Sequence, residues 1–391
     1  MSLPIVFVLG LVAVAMSYCQ RMFDPLTLVL AREFAVDPGR IVLLAPAFSI
    51  PYAVGQLFLG PLADSVGKAR LLRRCLIALM VTTAVSFFVS DYSVLFALRM
   101  IMGLSAAGMI PVALAIIGDR VPMEQRQIAY SRYLIASVVG QLFASPVSAA
   151  LATRWDWSAS VLFSSVVTAV ALVVVTHQIK SRPDTVLIPF SVGRALATNR
   201  MLLANARARA CYIMVFIESF CLFGFQPHVV RYLETRGFGS TEEAGYVIGA
   251  MGVGGVVFSI VVGWVIRRFS PFSIWRFGAV LGAIGLIAIP LATGWLQVLG
   301  AFVFIGLGFY TLHSGIQTQV SEAVPEARSS AVALHASSFF LGYATSPVLM
   351  EHAIRVVGVT AVLWSAAAIL VVAGLVTARL LQRAAPDQRA R

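Results

Sequence analysis

Apolar residues run along this 391-residue chain in stretches of about twenty, parted by short clusters of charged and turn-forming residues. A stretch of about 20 apolar residues makes a helix that can cross a bilayer roughly 30 Å thick. Twelve such stretches are centred near residues 14, 50, 83, 106, 142, 168, 220, 255, 285, 307, 340 and 369. They predict an all-α polytopic membrane protein and leave no room for a sizeable soluble domain. The first stretch has no basic leader and no A-x-A cleavage site, so it is expected to be a retained span rather than a signal peptide. The most polar interruption, residues 180–209, holds Lys180, Arg182, Arg194, Arg200, Arg207 and Arg209 with the break Pro183-Asp184. It divides a six-helix bundle over residues 1–179 from a second over 210–380, followed by a cytoplasmic tail over 381–391.

The two halves carry a faint repeat. Gly60 and Gly263 end the second span of each half, and Gly103 and Gly306 lie in the fourth. Val121-Pro122 and Val324-Pro325 follow that span, and all three pairs are 203 residues apart. Parallel repeats of this kind suit two bundles that rock about a site near the bilayer midplane.

Composition agrees with lipid as the main solvent: 59% of residues are hydrophobic and 12% charged, with a mean hydropathy of +0.90. The net charge of +12 is distributed as a membrane protein would place it, not as a nucleic-acid binder would. With both termini inside, 21 of the 29 Lys and Arg fall in cytoplasmic loops and tail, six in outer loops, and Arg21 and Arg99 within spans. Basic loops beside anionic headgroups need no other partner. The four cysteines lie in or beside spans without metal-ligand spacing, which fits small packing residues.

The segment Gly60-Pro61-Leu62-Ala63-Asp64-Ser65-Val66-Gly67-Lys68-Ala69-Arg70-Leu71-Leu72 sets an acid, two glycines and two bases in a short turn between two spans. It resembles the loop between spans two and three of the major facilitator superfamily, G-x-x-x-D-R-x-G-R-R/K, with Ser65 in place of that arginine and Ala69 between the bases. Arg99 followed by Gly103 resembles that superfamily's fourth-span motif. Gly140-Gln141-Leu142-Phe143-Ala144-Ser145-Pro146 resembles its antiporter-type fifth span, with Ala-Ser-Pro where Gly-Pro is usual. Arg21-Met22-Phe23-Asp24-Pro25 is similar to first spans in its twelve-span drug:proton antiporter group. The resemblance implies twelve helices in two parallel six-helix halves and secondary transport across a bacterial cytoplasmic (inner) membrane. It also implies that Asp64, with Lys68 and Arg70, closes the inner face against the opposite half; Arg120 and Arg126 are further partners for Asp64. In the second half Gly263-Trp264-Val265-Ile266-Arg267-Arg268 has no acid matching Asp64, so such a latch is asymmetric.

Charge inside a span costs about 2.5–3.5 kcal/mol on the mildest scale, so each such residue needs a partner, a watery cavity or a task. Arg21 and Asp24 are three apart and share a helix face; they suit either a proton-titrating pair or a static ion pair, and Pro25 is expected to kink the span. Glu218 has no basic residue within a helical turn, so any partner comes from another span. It suits proton coupling, or a protonated acid bonded to a neighbouring hydroxyl. Arg99 suits proton steering, recognition of an anionic substrate group, or a structural tie to Asp24.

Polar residues placed to line a cavity are Gln56, Gln141, Tyr212, Gln226, His228, Tyr246, Tyr310, His313 and Gln317; Tyr310, His313 and Gln317 share one helix face. Few charges and some aromatics suit a small amphipathic solute. No Walker A sequence, no H-E-x-x-H and no Ser/His/Asp arrangement is present, so neither ATP-driven transport, an enzyme nor a cofactor is expected. The leading expectation is proton-coupled efflux of a small organic compound. Proton-coupled uptake of an organic anion, held by Arg21 and Arg99, is the alternative. One chain holds both halves of a pathway, so a monomer is expected.

Overall fold

A computed structural model describes residues 4–180, 191–324 and 327–384. Arg182, Pro183, Asp184, Pro325 and the tail beyond 384 lie outside the described residues, as does the side chain of Asp64. Ten helices among the described residues are long and apolar enough to cross a membrane. Two features raise that number to twelve. Lys68–Ser86 also spans, its mean hydropathy lowered by Lys68, Arg70, Arg73 and Arg74. Arg328–Ala384 is broken at Gly358, whose φ of 82° suits a residue without a Cβ, and forms two spans.

In chain order the crossing helices are α1 (Ile5–Arg21, continued by Thr27–Glu33), α2 (Leu44–Val66), α3 (Lys68–Ser86), α4 (Tyr92–Ala107, continued by Met109–Arg120), α5 (Met123–Arg154) and α6 (Trp157–Gln178). The second set is α7 (Ala206–Phe223, continued by Val229–Arg236), α8 (Thr241–Arg268), α9 (Pro271–Leu291), α10 (Trp295–Ala323), α11 (328–357) and α12 (359–384). Helix Val192–Ala204 connects the sets. An even number of crossings returns the chain to the end where it began, called here the terminal end; the opposite is the far end. The hairpin between α2 and α3 turns on Gly67 alone, at φ 97°.

The repeat has a structural counterpart. A Cβ on Gly103 would lie 2.0 Å from the carbonyl oxygen of Phe48, and one on Gly306 would lie 2.0 Å from that of Met251. Phe48 and Met251 are themselves 203 apart, so α4 crosses α2 as α10 crosses α8. Within the first half α1 packs on α5 and α6, and within the second α7 packs on α11.

The halves meet along two pairs, α5 with α8 and α2 with α11. In the first, Gly245, Gly249 and Gly252 of α8 lie against Leu142, Ser145, Pro146 and Ala149 of α5, with no room for a side chain. In the second, Tyr52 and Phe340 rings approach to 3.9 Å between centroids. The outward faces carry exposed apolar side chains such as Phe88 and Ile260, as lipid-facing surfaces do.

Candidate functional site: a buried polar seam between the halves

Helix α1 stops at Arg21 because Pro25 cannot donate a backbone hydrogen bond to continue it. The chain makes a 3-10 turn over Asp24–Leu26 and resumes as a helix at Thr27. Helix α7 does the same at Pro227, with a 3-10 turn over Gln226–His228. Phe23-Asp24-Pro25 and Phe225-Gln226-Pro227 are 202 residues apart, and the two turns face each other across the halves. The acid of one turn is thus the counterpart of the amide of the other.

Arg21 joins them. Its Nη1 reaches Asp24 Oδ2 at 3.4 Å, donates to Gln226 Oε1, and lies 3.4 Å from the Tyr343 hydroxyl. Tyr343 in turn donates to Asp24 Oδ1 at 3.3 Å. The guanidinium stacks over Phe223 and Tyr343, 4.7 and 5.0 Å from their centroids. Arg21, Asp24, Gln226 and Tyr343 are all buried. Further ties follow toward the far end: Thr27 Oγ1 to the Pro227 carbonyl at 2.8 Å, Arg32 to Glu234 at 3.2 Å, and Arg355 to Asp37 at 2.7 Å. These cross-half ties gather at one end, so this is a far-end-closed conformation.

Arg99 is committed to backbone. It donates from Nη1 to the Cys19 carbonyl (2.6 Å), from Nη2 to the Gln20 carbonyl (2.7 Å), and from Nε to the Leu44 carbonyl (3.3 Å). Phe48 and Phe23 cover its faces at 4.4 and 5.0 Å. The Cys19 and Gln20 carbonyls are free because α1 ends within the next turn; the Leu44 carbonyl lies at the start of α2. Arg99 therefore fastens α4 to both helices.

Glu218 finds its partner in another span, as expected. Its Oε2 shares a 2.9 Å hydrogen bond with Nδ1 of His313 from α10. Glu218 is wholly buried and its Oε1 has no hydrogen bond, whereas the His313 side chain is 23% exposed. His335 of α11 packs on His313 with centroids 4.8 Å apart, is itself buried, and leaves Nε2 unbonded. Helix depth places these groups within the bilayer: Glu218 is 12 residues from the start of α7 and His313 is 10 from the end of α10.

A small pocket beside the seam is lined by Arg21, Gln141, Ser145 and Gln226 on its polar side and by Phe223, Phe309 and Tyr310 on its aromatic side. The Ser145 hydroxyl is buried and unbonded. The seam thus gathers Arg21, Asp24, Gln226, Gln141 and Tyr310. Other expected lining residues sit elsewhere. Gln56 donates to the Ala107 carbonyl at 3.0 Å, tying α2 to α4. Tyr212 is buried with its hydroxyl unbonded. Tyr246 is exposed and bonds Glu242, Gln317 is exposed, and His228 meets the Pro347 carbonyl at 3.1 Å.

At the terminal end Lys68 pairs with Asp119 at 2.7 Å, Arg70 is exposed, Arg120 reaches the Lys180 carbonyl at 2.5 Å, and Arg126 donates to the Val121 carbonyl at 2.9 Å. Each of these contacts stays in the first half. Sequence reasoning missed Tyr343, Phe223, Ser145, His335 and the Glu351 cluster described below. The Phe-x-Pro match at 202 residues was a usable signal for the facing turns; nothing in the sequence distinguishes Tyr343 from the other tyrosines within spans.

Two pseudo-equivalent six-helix halves, membrane-crossing throughout and meeting at a buried polar seam, are the architecture of a multi-pass membrane transporter. The chain belongs to the Major Facilitator Superfamily, whose family model matches residues 9–330. It is 21% identical to an uncharacterized transporter of Buchnera aphidicola subsp. Schizaphis graminum over 86% of this chain and 80% of the relative. It is 26% identical to multidrug resistance protein D of Escherichia coli over 51% of this chain and 49% of that protein. With the gentisate transporter of Corynebacterium glutamicum it shares 23% identity over 75% of this chain and 67% of that one. Among solved structures a peptide transporter POT superposes with a TM-score of 0.80 at 14% identity, covering 97% of this chain and 94% of that one, a likeness of fold. The family and these relatives are transporters, not enzymes.

Proposed function

We propose that the protein is a proton-coupled exporter of a small organic or amphipathic compound, acting by alternating access in a bacterial cytoplasmic membrane. The observation that carries this reading is the Glu218–His313 pair: a fully buried carboxyl, half-satisfied, bonded to an imidazole that reaches open space. Such a pair can take a proton from one side and give it to the other once the halves move. Arg21 and Asp24 form a second titratable pair on the pocket wall. The skew of Lys and Arg toward the terminal end supports both termini being cytoplasmic, which makes the far end the outer one. Similarity to a multidrug resistance protein favours export. The chain acts as a monomer, because it contains both halves of the pathway.

In the cycle, solute enters from the inner face and meets Gln141, Gln226 and Tyr310 while the carboxyls are ionised. The halves then open outward, solute leaves, and protons entering from outside allow the return. Asp64, with Lys68, Arg70, Arg120 and Arg126, serves the inner closure. One charge crossing 100 mV supplies about 2.3 kcal/mol, and each pH unit adds about 1.4 kcal/mol. That suffices for a gradient of several hundred-fold per proton.

Uptake of an organic anion is favoured by one specific observation, Arg21 on the pocket wall, and by the gentisate transporter among the relatives. With Arg99 bound to three carbonyls, Arg21 is the cation that reading rests on. Proton flux in proteoliposomes, followed by a pH-sensitive dye across a panel of organic cations, neutral amphiphiles and aromatic acids, tests both. Solute-triggered flux that disappears in Glu218→Gln supports coupling through that carboxyl, and its sign separates antiport from symport. Solute movement without proton movement overturns the proposal.

A further inference from the structure

The far-end closure and the Arg21–Asp24 pair share the same atoms. Asp24 and Arg21 belong to the first half, Gln226 and Tyr343 to the second, and Nη1 of Arg21 touches all three others. Because the two 3-10 turns are pseudo-equivalent, Asp24 and Gln226 present themselves to that nitrogen from opposite sides. The asymmetry matters. An acid at both places would repel across the seam, and an amide at both would leave a buried guanidinium without a counter-charge. With one of each, Arg21 stays neutralised within its own half while it holds the other half.

We propose that Tyr343 and Gln226 are positioning residues that make the Arg21–Asp24 pair an interlock, keeping the far end shut while Asp24 is ionised and the pocket is empty. The inference rests on the exporter reading, whose rule it would enforce. An antiporter that opens outward with neither proton nor solute bound dissipates its gradient. Ionised Asp24 accepts a charge-assisted hydrogen bond from Tyr343 and fixes Arg21 beneath Gln226; protonation weakens both, since charge-assisted bonds are about twice as strong as neutral ones. A solute in the pocket reaches the same tie from the other side, because Arg21 and Gln226 both line it. Either event releases the interlock. The charged and titratable groups facing this cluster are Arg21 of α1, Arg99 of α4 acting on Asp24, Tyr343 of α11, and Tyr310 of α10 facing Arg21.

The test is a distance measurement across the far end. Glu33 and Thr235 are exposed and belong to opposite halves, and the four native cysteines are buried. Spin labels at Glu33→Cys and Thr235→Cys in the full chain in nanodiscs report the closed and open populations from pH 5 to pH 8 by pulsed electron resonance. The unsubstituted seam should be closed at pH 8 and open progressively as pH falls. Asp24→Asn and Tyr343→Phe should each raise the open fraction about five-fold at pH 8. Asp24→Asn should flatten the pH profile, and the double variant should open no further than Asp24→Asn alone. Gln226→Met, which keeps the side chain's length but loses its acceptor, should also raise the open fraction while retaining a pH response.

An unchanged distance distribution in Asp24→Asn, or strictly additive effects of Asp24→Asn and Tyr343→Phe, overturns the interlock. If a variant fails to give monodisperse protein, the pH titration of the labelled but otherwise native chain decides, and a flat profile overturns the proposal by itself. These outcomes are independent of Glu218: loss of solute-driven proton flux in Glu218→Gln with an unresponsive far end would uphold coupling and discard the interlock. A responsive far end without solute-driven flux would do the reverse.

Discussion

Nδ1 of His313 and Oε2 of Glu218 stand 2.9 Å apart, joining α10 to α7 in the middle of the second half. Neither residue has a charged neighbour within its own helix turn, so each depends on the other. Removing one partner of a buried pair leaves the second uncompensated, typically at about 3–5 kcal/mol. His313→Ala should therefore lower thermal stability in detergent strongly. Glu218→Gln keeps a hydrogen-bonding side chain of the same shape and should lower it far less. If both variants unfold at the native temperature, the pair is not a structural contact; equal large losses would mean that the carboxyl's charge, not its shape, is what His313 recognises.

Arg99 yields a prediction of the opposite kind. Its three donors end on the Cys19, Gln20 and Leu44 carbonyls, and two phenylalanine rings cover it. Lysine offers one ammonium and cannot match that fork. Arg99→Lys should cost about 3 kcal/mol, the worth of one or two hydrogen bonds to a charged group. Its residual transport should scale with the amount of folded protein and show an unchanged KM. A raised KM with normal thermal stability would return Arg99 to a role in substrate recognition.

Much of this architecture was legible in the sequence because lipid leaves the backbone few options. Every apolar stretch must close its hydrogen bonds within itself, so hydropathy gives the helices almost directly. The 203-residue repeat was equally legible, because Gly103 and Gly306 are crossing points that tolerate no side chain. The polar seam was harder to see. Arg21, Asp24 and Glu218 stood out as charges within apolar runs, yet their partners Tyr343, Gln226 and His313 come from other helices, 322, 205 and 95 residues away. Only packing could supply those pairings. The crossing of α10 by α11 also buries His335 against His313.

The glycines separate contact from flexibility. Gly103 and Gly306 lie under a backbone carbonyl, so Gly103→Ala or Gly306→Ala must push two helices apart. Each should cost about 1–3 kcal/mol or more by overpacking. Gly263 belongs to the same sequence repeat but has nothing within 4 Å of the place a Cβ would occupy. Gly263→Ala should be neutral or stabilise by about 0.5–1 kcal/mol, through helix propensity alone. Thermal unfolding of the three variants side by side checks the contrast, and a destabilised Gly263→Ala would refute it.

The far-end ion pairs should differ sharply in worth. Asp37 and Arg355 are each more than half exposed, so their 2.7 Å contact is screened by water and salt. Glu351 is only 8% exposed and sits at the centre of a cluster within the second half. It accepts from both Nη atoms of Arg231, at 3.0 and 2.6 Å, and from Nε of Arg355 at 2.7 Å. Its Oε2 also lies 3.2 Å from Nδ1 of His228. Bidentate pairing of this sort holds geometry as well as charge. Asp37→Asn, which keeps an acceptor for the Gly39 N–H that Asp37 caps, should leave the melting temperature within error, and high salt should erase any difference. Glu351→Ala leaves two guanidinium groups and an imidazole facing one another across the α7–α11 contact. It should lower the melting temperature by several degrees, in a manner that added salt partly relieves. The two variants measured at low and high ionic strength give the result, and an Asp37→Asn loss as large as that of Glu351→Ala would show that the exposed cross-half pair, not the buried cluster, holds the far end together.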